Sequence, residues 1–142
     1  MKLSMIRKIS VDNVRMFERL VYHSKTTQEF GSLGLFKLLT EAQLRNEQLQ
    51  ITGHLLFLND EFTQCLEGPP THIEQVWQSI QRDPRHHDIQ LLARHSTNER
   101  RFPEWSMAFS TYNTFYVHGM RGFFPVDDAG ESPLVSMCSI AP

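Results

Sequence analysis

Three polar residues, Tyr22, Asn46 and Gln64, stand at positions where the pattern of their segments favours an apolar side chain. A buried phenol or carboxamide needs a hydrogen-bond partner, because an unpaired polar group is costly away from water. The three groups could bond one another. They could also line a pocket for a flat ligand, apolar on its faces and edged with N–H and C=O groups. A pterin, a purine or a flavin meets that description, so this second interpretation predicts a binding site.

Periodicity places each of these residues on a secondary-structure element. Tyr22 lies in a strand predicted over residues 17–23, and Gln64 lies in an apolar row of a strand predicted over residues 62–67. Asn46 keeps the period of a helix predicted over residues 33–49, whose stripe is Leu35, Leu39, Ala42, Asn46 and Leu49. An Asn close to a helix end also often faces water, which is the alternative for Asn46.

The expected packing brings further polar residues to the same space. If the helix covers the sheet face that carries Tyr22 and Gln64, Arg45 lies beside the site. The end of a second helix contributes three more polar residues, Asp83, Arg85 and His86. The result is a slot between two helices, with apolar walls formed by Leu39, Ala42, Leu49 and Ile80.

The usual sequence motifs of catalysis and metal binding are not found. The chain has no G-x-G-x-x-G or Walker loop, and no pair of histidines is spaced to share a helix face. His86 and His87 are adjacent, so on a strand they point to opposite faces, and we expect no metal site. His23 and Ser24 lack a third member of a hydrolase triad. Cys65 is more typical of a small core residue than of a nucleophile.

The element order predicts an α+β fold. Further strands are predicted over residues 54–58, 88–95 and 106–112, and Asn59-Asp60 is typical of a hairpin turn. Thr71 and Glu74 have the spacing of a capping box at the start of the second helix. The order βαββαββ contains the split βαββαβ unit of ferredoxin-like folds. We therefore expect two helices on one face of a five-stranded mixed, mostly antiparallel sheet.

The second face of that sheet also needs a cover. Leu55 and Phe57 alternate with Leu56 and Leu58, so this strand is apolar on both sides. We expect residues 1–15 to form a tail, residues 16–112 the domain, and residues 113–142 a C-terminal extension with a short helix and a partly extended arm. This extension and a second subunit would share the cover, giving a homo-oligomer, most simply a two-fold dimer.

Composition limits the classes of function. The 142 residues suit one domain. The net charge is −2 and no basic block follows residue 17, which argues against a nucleic-acid groove. No stretch approaches the ~20 apolar residues of a membrane span. The two cysteines, Cys65 and Cys138, make no disulfide framework, which favours the reducing cytoplasm.

With these motifs in order, the chain resembles the BLUF domains, blue-light sensors using flavin. The resemblance runs from about Phe17 to Phe109. Its motifs are Arg19-Leu-Val-Tyr22-x-Ser24, Asn46 with Ile51-Thr-Gly-x-Leu-Leu, Phe62-x-Gln64-x-Leu-Glu-Gly68, Asp83-Pro-Arg-His86 and Arg101-Phe-Pro-x-Trp-Ser-Met107. Each motif alone is weak, but five in order at the family's spacing are specific.

The resemblance implies a non-covalently bound flavin, FAD or alternatively FMN, between the two helices. Tyr22 matches the family's light-driven electron donor, and Gln64 matches the amide between that phenol and the flavin. Asn46 matches a side chain that holds the flavin edge. Trp105 and Met107 match positions that alternate with light or carry the signal out. The remaining cofactor-binding residues that it implies are Ser24, Arg45, Asp83, Arg85 and His86.

Two positions depart from the family pattern. Arg45 replaces the Asn or His that many members carry beside the flavin Asn, and it is placed to reach the cofactor's phosphates. Ala42 replaces a frequent Ser, so one hydrogen bond near the flavin is expected to be absent. Neither departure touches Tyr22 or Gln64.

The resemblance also implies a role for the whole chain. A sensor with no room for an effector domain would turn over no substrate, so it would not be an enzyme. It would signal by assembly or through a separate regulatory protein. The main alternative is a ferredoxin-like regulatory module that binds a small molecule without photochemistry. An RNA-binding domain is disfavoured, because the chain lacks basic charge and paired aromatics on a central strand.

Overall fold

A computed structural model of the protein describes residues 16–112 and 121–126. In chain order the elements are β1 (Phe17–Thr26), α1 (Ser32–Gln48), β2 (Thr52–Leu58), β3 (Glu61–Gly68), α2 (Pro70–Arg82), β4 (His86–Thr97) and β5 (Ala108–Ser110). The strands form one sheet in the order β4-β1-β3-β2-β5. The β2–β5 pair is parallel and the other pairs are antiparallel. This is the predicted ferredoxin-like α+β fold.

The hairpin between β2 and β3 sets the register of the sheet centre. Asn59 and Asp60 have φ values of 52° and 62°, which places both in the left-handed region that a tight two-residue hairpin requires. Asn and Asp tolerate that region better than most residues do, so the predicted turn is confirmed. The register that follows sets Leu55 opposite Gln64, and β1 sets Tyr22 opposite Gln64 from the other side.

The main core lies between the helices and one sheet face. Leu20 and Leu66 at its centre are fully buried, and α1 contributes Leu35 and Leu39. The stripe predicted for the second helix is buried as expected and consists of Ile73, Val76, Trp77 and Ile80. Tyr22 and Gln64 belong to this face, so the sheet presents them toward the helices.

The opposite sheet face is covered in part by the loop that joins β4 to β5. Phe102 of this loop packs on Val21 and Cys65. Glu67 is fully buried, pairs with Arg19 at 2.8 Å and accepts the backbone N–H groups of Arg101 and Phe102. These contacts anchor the β4–β5 loop over part of this face, and the cover by residues 113–142 and a second subunit stays a prediction.

Residues 121–126 add to the sheet edge. Phe109 N donates to Gly122 O, Phe124 N donates to Phe109 O, and Val126 N donates to Thr111 O. The Phe109 and Phe123 rings stack at 5.2 Å. Residues 121–126 therefore begin with a turn and then run beside β5. The predicted short helix falls outside the described residues.

Some element boundaries were predicted wrongly. The capping box is absent: α2 begins at Pro70 with no side-chain cap, and the Glu74 carboxylate instead bonds Gln78 and Arg94. Proline at the first helical position provides a different start, because its missing N–H needs no partner there. The last strand is Ala108–Ser110, shorter than 106–112, so Trp105 and Met107 precede it. In the described part of the chain, neither helix is long and apolar enough to cross a membrane.

Candidate functional site

Tyr22 and Gln64 meet across the β1–β3 pair. They are register partners on the helix-facing side of the sheet, each only 4% exposed. The Tyr22 phenol donates a short hydrogen bond of 2.5 Å to Gln64 Oε1. Burial raises the pKa of Tyr22 above its ordinary value, although the nearby Arg45 cation opposes that rise and Asp83 adds to it. The phenol is therefore neutral, with an amide oxygen ready to accept its proton.

Met107 completes the hydrogen-bonding environment of the Gln64 amide. Gln64 Nε2 donates to Met107 Sδ at 3.5 Å, and Met107 is 1% exposed. Trp105, the other residue implied for signal output, lies elsewhere. Its ring contacts Phe124 at 5.6 Å between centroids, and the Arg121 guanidinium lies 5.8 Å from its centroid. Of the two, Met107 is therefore the residue that contacts the Tyr22–Gln64 pair.

Asn46 is fully buried at the C-terminal end of α1. Its Nδ2 donates to Ser106 O at 2.9 Å, and its Oδ1 accepts two hydrogen bonds from the Arg45 guanidinium, each 3.2 Å. The alternative of a solvent-facing Asn was therefore wrong. The three polar residues do not all bond one another either, because Asn46 bonds the loop and Arg45 while Tyr22 bonds Gln64.

A cavity of about 280 Å³ lies beside the pair, between the two helices. Tyr22 and Gln64 line it together with apolar residues from both layers, Leu38, Ala42, Leu55, Phe62 and Ile80. Of the predicted walls, Ala42 and Ile80 are correct. Leu39 is instead in the core below, and Leu49 packs against that core.

Charged residues line the same cavity. They are Glu41, Arg45, Asp83 and Arg85, with His86 beside them. The Arg85 guanidinium forms a salt bridge with the Asp83 carboxylate, with an Nη2–Oδ2 distance of 2.7 Å. The hydrogen bonds from Arg85 hold the pKa of Asp83 below its ordinary value. Arg45 bonds the neutral Asn46 amide and forms no salt bridge with an acid among residues 16–112 and 121–126. Burial lowers its pKa.

Ser24 reaches the site only through His86. His86 Nε2 contacts Ile80 O at 2.6 Å, and because a carbonyl can only accept, this nitrogen carries the proton. His86 Nδ1 then accepts from the Ser24 hydroxyl at 2.7 Å. The His86 ring sits edge-on to Tyr22, with centroids 6.1 Å apart. Ser24 does not line the cavity; it fixes the ring that does.

The prediction from sequence missed several lining residues. Leu38 and Glu41 precede Ala42 and Arg45 by four residues each, so the four form one helical face next to the core stripe. That spacing was available in the sequence. The contribution of Leu55 and Phe62 follows from the β2–β3 register, in which Leu55 lies opposite Gln64.

The lining fits a flavin. Its apolar residues suit the faces of a flat aromatic ring, and the Gln64 amide offers hydrogen bonding at a ring edge. Arg45, which forms no salt bridge in the described chain, supplies a cation of the kind that phosphate groups require. The set also provides an oxidisable phenol within the cavity.

Comparison with known proteins gives consistent matches. The beta subunit of the photoactivated adenylate cyclase of Euglena longa is 38% identical over 93 residues, 65% of this chain and 11% of that protein. The blue light- and temperature-regulated antirepressor BluF of Escherichia coli K12 is 33% identical over 92 residues, 65% of this chain and 23% of that protein. The chain therefore spans only a small part of the length of these relatives.

Solved structures agree. The dark-state structure of BlrB, a BLUF protein, has a TM-score of 0.63 at 31% identity, covering 66% of this chain and 70% of that one. The photo-activated state of BlsA has a TM-score of 0.64 at 36% identity, covering 69% and 71%. The BLUF family model, described as sensors of blue light using FAD, matches residues 17–108. The chain belongs to the BLUF family of flavin-using blue-light sensors.

Proposed function

We propose that Tyr22 and Gln64 are the photoactive pair of this blue-light sensor, and that Met107 receives the change they undergo. The observation that carries this proposal is the continuous series of direct contacts from the Tyr22 phenol through the Gln64 amide to the Met107 sulfur, beside the cavity. The family's description is that of a sensor, which agrees with a domain that turns over no substrate.

Cofactor binding is assigned to the residues around the cavity. Gln64, Arg45 and Arg85 line the cavity, where Gln64 holds polar groups of the ring and the two arginines supply positive charge for phosphates. Asn46 is buried next to Arg45 and does not itself line the cavity, so its assigned role is to bond the ring edge once the cofactor is bound. Asp83 orients Arg85 through their paired hydrogen bonds. His86 contributes a ring fixed by Ser24 and Ile80. The cofactor of this family is FAD, and FMN is the alternative for this chain.

The protein's own part in the light reaction concerns one electron and one proton. A bound flavin supplies absorption of blue light and an excited state that oxidises a neighbouring group. Tyr22 is the oxidisable group lining the cavity, and losing an electron makes its phenol strongly acidic. Gln64 Oε1, already its hydrogen-bond acceptor, is the site to which the proton moves. When the electron and proton return to Tyr22, the Gln64 amide is left rotated or tautomerised.

A rearranged Gln64 changes what Met107 contacts. The Gln64 Nε2–Met107 Sδ contact of 3.5 Å depends on the orientation of the amide, so rotation replaces a donor with an acceptor there. One buried hydrogen bond contributes about 1–3 kcal/mol. A difference of that size changes the ratio of two conformations by roughly fivefold to over a hundredfold, which is enough for a signal.

For the output we propose three domain regions and an assembly. Residues 1–15 form an N-terminal tail, residues 16–112 the flavin domain, and residues 113–142 an extension that mediates assembly. Leu56 and Leu58 are only half-buried on the second sheet face, which supports a homo-oligomer, most simply a dimer. The signal passes to a separate regulatory protein. The sequence has two cysteines, Cys65 and Cys138, and these make no disulfide framework, which supports a cytoplasmic location.

The binding proposal is tested by purifying the chain and measuring its visible spectrum and flavin content. We expect a yellow protein with one flavin per chain. A regulatory module without photochemistry would be colourless. A protein that stays colourless after refolding with FAD and with FMN would contradict the proposal.

A further inference from the structure

Gln43 connects α1 to two other parts of the chain at once. Its Nε2 donates to Met107 O and to Arg121 O, each at 3.1 Å. A carboxamide nitrogen has two hydrogens, so each carbonyl receives one. Gln43 lies one turn before Asn46, whose amide donates to the neighbouring carbonyl of Ser106. Two side-chain amides of α1 therefore hold consecutive carbonyls of the segment that leads into β5.

The two carbonyls bonded by Gln43 lie at one end of a backbone ladder. Beyond Met107, β5 bonds residues 122–126 through Phe109 N to Gly122 O, Phe124 N to Phe109 O and Val126 N to Thr111 O. At the end of this ladder, Gln43 Nε2 donates to both Met107 O and Arg121 O and so joins the two segments. Within the described part of the chain the backbones of Met107 and Arg121 share no hydrogen bond, so the Gln43 side chain links the two segments at this point.

Gly122 shows how closely the two segments approach at this end. Its φ is +89°, and a Cβ placed on it would lie 3.1 Å from Met107 O and 3.4 Å from the Trp105 ring. A side chain at this position would therefore be strained and would press on the carbonyl that Gln43 holds. The geometry requires Met107 O and the 121–122 turn to stay in register.

Met107 is held at two atoms from two directions. Its sulfur accepts the Gln64 amide, and its carbonyl accepts the Gln43 amide. A continuous series of contacts therefore runs from Tyr22 through Gln64, Met107 and Gln43 to Arg121.

We propose that Gln43 is the positioning residue that transmits a change at Met107 to residues 121–126. This inference rests on the proposed photoreaction of Tyr22 and Gln64. Each bond is 3.1 Å long and is lost when its two atoms move apart by a few tenths of an ångström, past about 3.5 Å. One amide therefore cannot keep both carbonyls if one of them moves. When the Gln64 amide releases Met107, Gln43 loses one of its two bonds and the ladder end opens.

A second contact between the same segments provides a contrast. The Trp105 ring meets Phe124 edge-on at 5.6 Å. This contact joins the loop before β5 to residues 121–126, but it involves neither α1 nor Met107. In the described chain its two side chains make no hydrogen bond with Gln64 or Met107, so we assign transmission to Gln43.

The test is hydrogen exchange of the flavin-loaded full chain, in the dark and under blue light. The reporters are the Phe124 and Val126 amides, which donate to the ladder. Loss of one hydrogen bond speeds exchange on the order of fivefold, so we expect about that light-to-dark ratio in the wild-type protein. In Gln43→Met, which keeps length and helix propensity but has no donor, exchange should already be about fivefold faster in the dark and change less than twofold in light.

Controls separate transmission from plain structural support. Gln48→Met changes an exposed Gln of the same helix and should keep the wild-type light-to-dark ratio. A purely structural Gln43 would speed exchange equally in both states and leave the ratio unchanged. Gly122→Ala disturbs the same end of the ladder without altering α1, and it should bring the light-to-dark ratio of exchange rates close to one. This variant serves as the test if Gln43→Met binds flavin poorly.

The outcomes are distinguishable from failure of the photoreaction. The absorption spectrum is recorded first, and a wild-type protein with no light-induced shift would contradict the proposed function itself. A normal shift with an unchanged ratio in Gln43→Met, or in Gly122→Ala where Gln43→Met does not retain flavin, would overturn the role of Gln43 alone. A normal shift with no light effect on Phe124 and Val126 in the wild-type protein would overturn it equally.

Discussion

At the scale of single residues, the central feature is a phenol placed against one end of a buried carboxamide. Tyr22 has a neutral hydroxyl that donates to Gln64 Oε1, and the Gln64 amide has its other end on Met107 Sδ. The amide is the one group of the three that can exchange donor and acceptor by rotating. This supports the proposal that the Gln64 amide is the group that rearranges, that Tyr22 starts the rearrangement and that Met107 changes its contact in response.

We predict that Tyr22→Phe and Gln64→Leu each keep the flavin but lose the light-induced red shift. The first removes the oxidisable hydroxyl, and the second removes the amide while keeping a similar volume. The measurement is the light-minus-dark absorption difference of each purified variant. Tyr112→Phe and Gln90→Leu are controls on the same residue types away from the cavity, and both should shift normally. A normal photocycle in either test variant would show that the pair is assigned wrongly.

We predict that Asn46→Ala weakens flavin binding without abolishing the light reaction of the bound fraction. The variant removes a buried carboxamide from the site and leaves Ser106 O without its donor. Loss of one such hydrogen bond weakens the free energy of flavin binding by about 1–2 kcal/mol, which raises the dissociation constant roughly tenfold. Flavin retention during dialysis is the measurement, with Gln48→Ala on the same helix as control. Undiminished retention would remove Asn46 from the set of cofactor-binding residues.

Much of the site at this scale could be predicted from sequence. Tyr22, Asn46 and Gln64 interrupt apolar patterns with fixed periods, so their faces followed from the element type. What Asn46 bonds could not be predicted, because Ser106 is 60 residues away and in a loop. The same applies to Met107, whose contact with Gln64 depends on how β5 is placed beside β2.

At the scale of elements, the β2–β5 pair connects the site to the second sheet face. His54 of β2 is fully buried, bonds Ser110 of β5 at 2.9 Å and stacks on Phe102 at 5.6 Å. Burial lowers the pKa of His54 to about 4. The neutral imidazole therefore helps join the short parallel strand and the covering loop to the sheet.

We predict an acid-sensitive stability that His54 causes. The unfolded chain binds a proton at His54 near pH 6.5, whereas the folded chain does so only near pH 4. The stabilisation is therefore complete above pH 6.5 and is lost as the pH falls toward 4, by up to about 3 kcal/mol. Urea unfolding at pH 7 and pH 4.5 measures this. The difference should shrink in His54→Gln and persist in His87→Gln, an exposed control. An equal loss in wild type and His54→Gln would refute it.

The elements also show where prediction from sequence failed. The strands of the hairpin were predicted well because Asn59 and Asp60 fix the turn. The start of α2 was predicted wrongly from the capping-box spacing of Thr71 and Glu74. The helix begins one residue before Thr71, at Pro70, because the fixed φ of proline suits the first turn. The brevity of β5 could not be predicted, because the segment before it bonds side chains of α1 rather than a strand.

At the scale of the whole molecule, the residues that the structure describes leave the sheet with two edges and one partly covered face. Residues 121–126 extend the β5 edge, while the β4 edge carries the exposed Leu91 and Leu92. The loop around Phe102 covers part of the second face, and Leu56 and Leu58 stay half-buried. Apolar residues left in these positions are typical of surfaces that associate.

We predict that the flavin-loaded chain is a homo-oligomer, with twice the mass of one chain in the simplest case. Light scattering of the purified protein measures the mass in the dark and under blue light. Leu56→Lys should lower the mass to that of a monomer by placing a charge on the shared face. Leu33→Lys, at an exposed position of α1, serves as the control. A monomer at all concentrations would rule out assembly as the route of output.

The most direct test of the account is the visible absorption spectrum of the flavin-loaded protein before blue light, during it and after return to darkness. We expect a red shift under light that reverses fully in the dark, because the Gln64 amide rearranges and then returns while the flavin stays chemically unchanged. The shift should require Tyr22. A flavin-bound wild-type protein whose spectrum does not move under blue light, or that bleaches without recovery, would contradict the account.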